Sequence, residues 1–241
     1  MHSRPASAQP TPIPASLLLQ AYRAGIFPMA DGRDDPECFW VEPRRRAIIP
    51  LADFSPSRSL RRTVRRDRFA VSCDTDFAGV IDACATAHGE DGVWISRRIE
   101  ASYIALHHGG HAHSIEVRDD TGTIVGGLYG VAFDRVFCGE SMFSKERDAS
   151  KVALVWLVAG LKAAGYEMLD CQFMTDHLAS MGAVELDRET YRQRIAKASG
   201  PARLSLPEAL AQLVQSPVAS SSPVSPSSPG NSIAQSFTNT S

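Results

Sequence analysis

Residues 126–144 read GGLYGVAFDRVFCGESMFS, and residues 168–172 read MLDCQ. The first stretch contains two apolar runs typical of strands, and these runs lead to a predicted turn over residues 140–142. A run with helical periodicity follows over residues 149–164 and stops at Gly165, as a left-handed helix end requires. The second stretch is then a third strand. The rest of the chain is arranged around this unit of two strands, a helix and a returning strand.

Polar side chains interrupt these apolar strands at three positions. Asp170 and Gln172 are two residues apart on the third strand, so we expect their side chains on one face, with Glu140 on a neighbouring strand end. Polar groups are costly to bury unless they are paired or used. From chemistry alone, two interpretations are open: a hydrogen-bonded network in the core, or an active site.

Composition places the chain among ordinary globular proteins. A length of 241 residues with 44% apolar residues suits one or two domains with a real core. No apolar run approaches the roughly 18 residues that a membrane span needs, and the Pro-rich start does not resemble a secretory signal. The five cysteines stand singly, which argues against a disulfide framework and a structural zinc site. We therefore expect a cytoplasmic protein.

The charge distribution is uneven although the formal net charge is only −2. Residues 44–68 contain nine arginines and two aspartates, without a matching acidic run. Such a patch is typical of a surface that binds the phosphate backbone of a nucleic acid, and a solvated basic face is the alternative. The arginines are at positions 44, 45, 46, 58, 61, 62, 65, 66 and 68.

Composition and periodicity also predict the domain organisation. We expect a disordered tail over residues 1–13, a small domain over residues 14–62, a main domain over residues 63–215 and a flexible Ser/Pro-rich tail over residues 216–241. A helix should run from Pro14 to Gly25, followed by an apolar loop over residues 26–29.

Helix caps and turns can also be predicted from the sequence. A helix over residues 55–66 should link the two domains, and a helix over residues 77–87 should be capped by Asp74 or Thr75. Ser96 should cap a helix that ends at Gly109. The turn at residues 119–122 predicts an antiparallel strand pair. The overall expectation is a mixed α+β protein.

A group of four histidines raises the possibility of a metal site. His111 and His113 would share a strand face, but no further ligands with suitable spacing appear. We therefore expect no metal, and we interpret His107, His108 and the other two as surface or hydrogen-bonded side chains.

Several motifs together resemble one known family. They are GGLYGVAFDRVFCGESMFS (126–144), ASK (149–151), DCQ (170–172), HLASMGA (177–183), LLLQAYRAGIFPM (17–29) and VWISRRIEASYIALHHGGHAHSIEV (93–117). Taken in their order along the chain, these motifs resemble the leucyl/phenylalanyl-tRNA–protein transferase family over roughly residues 14–194. The two ends of the chain lie outside the resemblance.

The resemblance implies a small N-terminal domain and a larger domain of the acyl-CoA N-acyltransferase (GNAT-like) fold with a mixed sheet. The usual coenzyme loop of that fold is missing, because residues 146–151 read ERDASK and contain no glycine that would admit a pyrophosphate closely. We therefore expect neither acetyl-CoA nor another cofactor.

The activity that the resemblance implies is transfer of leucine or phenylalanine, with methionine as an open alternative, from aminoacyl-tRNA to the α-amine of proteins that begin with Arg or Lys. The products would be marked for N-end rule (N-degron) degradation. Asp170 would accept a hydrogen bond or a proton from the amine, Gln172 would hold the amine or stabilise the oxyanion, and Glu140 would attract the cationic acceptor. Whether Asp170 is a true base stays open at this point.

Substrate contacts follow from the same resemblance. An apolar pocket for the donor side chain would be formed by Leu128, Phe137, Met142, Phe143, Leu154 and Phe173, and many members of the family have methionine at position 128. Trp40 and Trp94 would stack on the terminal adenosine, with a core role for Trp40 as the alternative. Phosphates of the tRNA would be bound by Arg61, Arg62, Arg65 and Arg66.

Two other functions compete with this one. A cell-wall aminoacyltransferase would need a membrane-facing amphipathic helix, and the sequence shows none. A tRNA-binding module without catalysis is the alternative from another class. Ser150 and Lys151 are expected to start a helix rather than to act chemically. Nothing in the sequence indicates a coiled coil, so we expect a monomer. Because no membrane-facing helix is evident, we also expect no membrane partner.

Overall fold

A mixed seven-stranded sheet forms the centre of the computed structural model, which describes residues 10–87, 94–215 and 228–237. The strands are β1 (Phe27–Met29), β2 (Phe39–Val41), β3 (Arg45–Ile49), β4 (Ala70–Cys73), β5 (Ala112–Arg118), β6 (Ile124–Phe133), β7 (Val136–Ser144), β8 (Met168–Gln172) and β9 (Val184–Asp187). The helices are α1 (Ala15–Arg23), α2 (Arg58–Arg65), α3 (Phe77–Thr86), α4 (Arg97–His108), α5 (Ala149–Ala164), α6 (Asp176–Ser180), α7 (Arg188–Lys197), α8 (Leu206–Gln215) and α9 (Pro229–Gln235). The α+β class and the mixed sheet are therefore confirmed.

The strand order in the central sheet is β4-β5-β6-β7-β8-β3-β9. Neighbouring strands are antiparallel except β7 and β8, which are parallel and are connected through α5. Strand β3 falls within residues 14–62, the predicted small domain, but it lies between β8 and β9 in the central sheet. Residues 27–29, expected in a loop, instead form β1, which pairs with β2 in a separate two-stranded sheet.

Two apolar layers cover the two faces of the central sheet. Alternate residues of one strand belong to different layers: Leu128 packs in the layer of α5 and α8, whereas Tyr129 packs in the layer of α1, α3 and α4. Helix α5 is buried over most of its circumference, as its nearly continuous apolar sequence requires. It ends at Gly165, whose φ of 82° confirms the predicted left-handed end.

The helix caps agree with the sequence only in part. Ser96 caps α4 by accepting a hydrogen bond from Ile99 N, as predicted. The cap of α3 is Asp76, which accepts from Gly79 N, so the prediction of Asp74 or Thr75 was wrong. Asp74 instead binds the backbone N of Ser114 and the ring of His113. The Asp74 carboxylate, directly after β4, thus links β4 to β5.

Strand β7 is longer than predicted and carries Glu140 within it, so residues 140–142 do not form a turn. Tyr129 pairs with Ser141 and Gly130 pairs with Gly139, so the register skips Glu140. An unpaired residue of this kind is a β-bulge, which redirects a side chain and commonly lies beside active sites. The bulge gives Glu140 an orientation that simple strand alternation does not predict.

Residues 10–13 and 228–237 belong to the two segments for which disorder is predicted, yet they contain packed side chains; the rest of those two segments lies outside the described residues. Ile13 is buried, and its N donates a hydrogen bond to Ser102 Oγ at 2.8 Å. In the C-terminal tail, α9 packs against α2 and α8, and Phe237 contacts Phe54 edge to face. A short apolar segment within the Ser/Pro-rich tail packs against the rest of the protein. The average composition of the tail gives no sign of this segment. Within the described ranges, no helix is both long and apolar enough to cross a membrane.

Gly130 provides a direct test of the close packing at the bulge. A Cβ added there would lie 2.2 Å from Cys138 O and 2.4 Å from the Phe137 ring. We expect Gly130→Ala to lower the free energy of unfolding by about 1–3 kcal/mol, measured by urea denaturation, because the backbone must shift.

Gly139→Ala is the matched control on the paired strand. A Cβ there would meet only Asp170 O at 3.6 Å and Leu169 Cδ1 at 3.7 Å, which are ordinary contacts. Equal losses for the two variants would show that the close approach at Gly130 does not constrain the sheet.

Candidate active site

A cavity of about 630 Å³ lies where the parallel strands β7 and β8 part. Their pairing ends at Cys138 and Asp170, so the following residues of the two strands diverge and form opposite walls. One side of α5 closes the space with Ser150, Leu154 and Leu157, which are spaced for one helix face. The lining is mainly apolar, with a few polar groups: Glu140, Ser141, Ser144, Ser150, Gln172, Thr175 and His177.

Gln172 and Asp170 do not share a face, contrary to the prediction. Gln172 has a φ of 61°, which breaks the alternation of the strand. Its side chain lines the cavity, whereas that of Asp170 does not. The rule of two-residue spacing failed because it assumes extended backbone at both positions.

Asp170 is completely buried and bound to Arg46, whose side chain is also inaccessible. Arg46 Nε donates to Oδ1 at 2.9 Å, and Nη2 donates to Oδ2 at 2.6 Å. Burial lowers the pKa of Arg46, but the Asp170 carboxylate more than offsets this and raises that pKa above its usual value. The remaining donors to the carboxylate are Tyr191 OH, Cys138 Sγ and Gln172 N.

With five donors directed at its two oxygens, Asp170 has no position left for a substrate amine. The expected role of Asp170 as a proton acceptor is therefore corrected: it positions Gln172 through the backbone N–H of that residue. Sequence reasoning missed Arg46 because it grouped this residue with the surface arginines. The signal available was that a buried carboxylate requires a buried cation.

Glu140 is the carboxylate that reaches the cavity. Gln172 Nε2 donates to Oε1 at 2.6 Å, and Tyr103 OH donates to Oε2 at 3.0 Å. Tyr103 OH is in turn 2.6 Å from Tyr22 OH, so a chain of hydroxyl groups extends from Glu140 to α1. Neither tyrosine was identified from the sequence.

Burial raises the pKa of Glu140 to about 8. The hydroxyl groups of Tyr103 and Tyr22 oppose that shift, the charge of Asp170 adds to it, and Arg46 opposes it. A carboxylate that titrates near neutral pH beside an apolar cavity is suited to accept and return a proton.

Most of the predicted pocket residues come together around this carboxylate. The cavity is lined by Leu128, Met142, Phe143, Leu154, Phe173 and Trp94. Phe137 is not among them, because its ring is buried in the core against Gly130. Trp40 does not line the cavity either. It is exposed on β2, where it pairs with Pro28 between the lining residues Phe27 and Met29.

Some arginines of residues 44–68 pair with acidic side chains, whereas others line a surface cleft. Arg46 is buried, Arg45 binds Glu185 and Arg68 binds Glu146. On α2, four arginines line one surface cleft: Arg58, Arg61, Arg62 and Arg65. The structure thus brings together three of the four predicted tRNA-binding arginines, adds Arg58 and leaves Arg66 outside the cleft.

Two protein-family models match this chain. The model for "Leucyl/phenylalanyl-tRNA protein transferase" matches residues 48–196, and the model for the N-terminal domain of these proteins matches residues 12–44. The chain belongs to the leucyl/phenylalanyl-tRNA protein transferase family. It is therefore an aminoacyltransferase, and the alternative of a tRNA-binding module without catalysis is set aside.

Curated relatives have the same name as the family. Leucyl/phenylalanyl-tRNA–protein transferase of Novosphingobium aromaticivorans is 63% identical over 194 residues, which cover 80% of this chain and 73% of the relative. The protein of that name from Rhodopseudomonas palustris strain HaA2 is 56% identical over 191 residues, covering 79% and 84%. A solved structure titled "The structure of L-PGS from Bacillus licheniformis" is 15% identical, covers 64% of this chain and 51% of that chain, and has a TM-score of 0.36, which supports no conclusion.

The buried ion pair generates a prediction for this member of the family. Arg46→Met leaves the Asp170 charge without its cation, so we expect the free energy of unfolding to fall by about 3–5 kcal/mol. The neighbouring Arg45→Met removes only an exposed pair with Glu185 and should cost less than about 1 kcal/mol. Urea denaturation of the two variants measures the difference, and similar losses would contradict the role given to the buried pair.

Proposed function

We propose that this family member transfers leucine or phenylalanine from aminoacyl-tRNA to the α-amine of proteins that begin with Arg or Lys, and so marks them for N-degron degradation. The proposal rests on the position of Glu140. This carboxylate accepts a hydrogen bond from Gln172 and lines an apolar cavity at the point where the parallel strands β7 and β8 diverge. The names of the relatives support tRNA-dependent transfer to proteins. The proposal adds the acceptor class and the chemistry.

The chemistry requires alignment and the movement of one proton. The acceptor amine attacks the carbonyl carbon of the aminoacyl ester, a C–N bond forms, and the bond from that carbon to the ribose 3′ oxygen breaks. Glu140 accepts the amine proton and returns it to the leaving 3′ oxygen, so no redox partner or cofactor is involved. Gln172 fixes the orientation of Glu140 through its amide N–H, and Asp170 fixes Gln172.

Donor selection follows from the shape of the cavity. Leu128, Met142 and Leu154 offer an apolar surface for a leucine or phenylalanine side chain. Met142 suits both because its unbranched side chain changes shape readily. In its ionised, reactive form, Glu140 beside this surface favours an acceptor with a cationic side chain.

The tRNA would contact two surfaces. Trp94 at the cavity wall and Trp40 on β2 would stack on the terminal adenosine, and the α2 arginines would bind backbone phosphates without reading sequence. We also propose that the central sheet with α5 corresponds to an acyl-CoA N-acyltransferase arrangement that uses tRNA instead of coenzyme A. Its support is the parallel β7–β8 pair and the absence of glycine in residues 146–151.

A transfer assay tests the proposed function. Purified protein with leucyl- or phenylalanyl-tRNA should label a peptide that begins with Arg, without coenzyme A. An otherwise identical peptide that begins with Asp should accept at least about 100-fold less, because the ionised form of Glu140 that reacts repels an acidic side chain beside it. Equal labelling of the two peptides would refute the acceptor class, and no labelling of either would refute the activity.

The pKa of Glu140 predicts a pH profile. Reaction requires an ionised Glu140 and a neutral amine, so below about pH 8 the logarithm of the rate should rise with pH at a slope of about 2. Glu140→Gln should be slower and should retain a slope of about 1 from the amine alone. A wild-type slope equal to that of the variant would exclude Glu140 as the base.

Protein stability supplies an independent readout of the same group. The folded pKa of Glu140 lies above the unfolded value of about 4.3, so the folded state keeps the proton over the window between them. The contribution of Glu140 to stability is then complete below about pH 4 and is lost as the pH rises through about 8. Glu140→Gln should lack this decline in urea denaturation.

A further inference from the structure

The arginine helix α2 is a poor helix by itself. It has eight residues, whereas isolated helices below about 12 residues are marginal in water. Arg58 and Arg62 are four residues apart, as are Arg61 and Arg65, and like charges at that spacing repel on one helix face. The first turn contains no acidic residue that would favour the helix dipole. Tertiary packing must therefore hold α2 together.

The partner that supplies much of this packing is the C-terminal segment 228–237, which contains α9. The inner face of α2 presents Leu60 and Val64, and these belong to the same apolar cluster as Ile233 and Ala234 of α9. Phe237 contacts Phe54, just before α2, with ring centroids 5.6 Å apart. The segment lies beyond residue 196, where the family match ends.

A second contact fixes the end of α2 that carries Arg62 and Arg65. Gly230 N donates to Asp67 Oδ1 at 2.6 Å, immediately after the helix. The Gly230 backbone also lies against the last turn, where an added Cβ would be 2.0 Å from Val64 O. Only glycine permits this approach, so the contact specifies how closely α9 and α2 pack.

We propose that segment 228–237 is a positioning element for the tRNA: it keeps α2 folded, and so holds the guanidinium groups of Arg58, Arg61, Arg62 and Arg65 together as one phosphate-binding surface. This inference rests on the proposed role of α2 in tRNA binding. It assigns a function in substrate binding to a segment outside the catalytic cavity. The segment acts on the affinity for tRNA and not on the transfer step.

The test compares two donors in the full-length protein, leucyl-tRNA and 3′-O-leucyl-adenosine, which lacks the phosphates of the tRNA body. Gly230→Ala should raise KM for leucyl-tRNA by about 10-fold, leave kcat unchanged and lower the steepness of the salt dependence of binding. KM for the short donor should stay within about twofold. Phe237→Ala, which removes the contact with Phe54, should act in the same direction. Gly32→Ala is the control, because a Cβ there meets nothing within 4 Å.

Parallel losses with both donors in both variants would overturn the inference, since they would indicate general damage to the fold. Unchanged KM for leucyl-tRNA in both variants would overturn it as well. Arg62→Ala distinguishes the proposed tRNA-binding role of α2 from the positioning role of segment 228–237. If Arg62→Ala leaves KM for leucyl-tRNA unchanged, the proposed role of α2 fails. If Arg62→Ala raises KM for leucyl-tRNA but Gly230→Ala and Phe237→Ala do not, only the positioning role of segment 228–237 fails.

Discussion

The buried pair of Arg46 and Asp170 is the interaction on which the site depends. It joins β3 to β8 at the point where β7 and β8 begin to part, and Arg46 also donates to Gly25 O after α1. The guanidinium contacts the rings of Phe27 and Tyr191, which help to keep water from it. Two charges taken out of water persist only with such complete pairing. The ion pair therefore fixes the positions of the N-terminal part, the central sheet and α7 relative to one another.

The two carboxylates of the site have different roles because their surroundings differ. Asp170 faces a cation and has every oxygen position occupied, so it acts as a structural anchor. Glu140 is contacted by an amide and a hydroxyl group but by no cation at hydrogen-bonding distance in the described structure, so burial favours its protonated form. A bulge brings Glu140 to the cavity, and a left-handed residue brings Gln172 beside it. Two local departures from regular strand geometry thus assemble the polar part of the site.

Sequence periodicity was reliable where a segment is apolar and regular. Helix α5 and strand β8 have the predicted bounds because burial and a glycine end define them. The apolar lining was also largely predictable, since most of it lies on the apolar segments β6, β7 and α5. The failures arose where backbone conformation or a distant partner decides the outcome. The skipped register at Glu140, the positive φ of Gln172 and the cation for Asp170 leave no periodic signal. The docking of α9 escaped prediction because its apolar residues are few and stand within a polar tail.

The place of β3 within the sheet has a consequence for biosynthesis. Arg46 and Asp170 are separated by 124 residues along the chain, and β3 also pairs with the still later β9. At translation rates of about 5–20 residues per second, the segment with Arg46 leaves the ribosome roughly 6–25 s before its partner exists. During that interval an arginine destined for the interior has no counter-ion, and β3 has neither of the strands that flank it in the finished sheet. The pairing of β3 with β8 and β9 is thus a late event, because it cannot occur until most of the polypeptide has been synthesised.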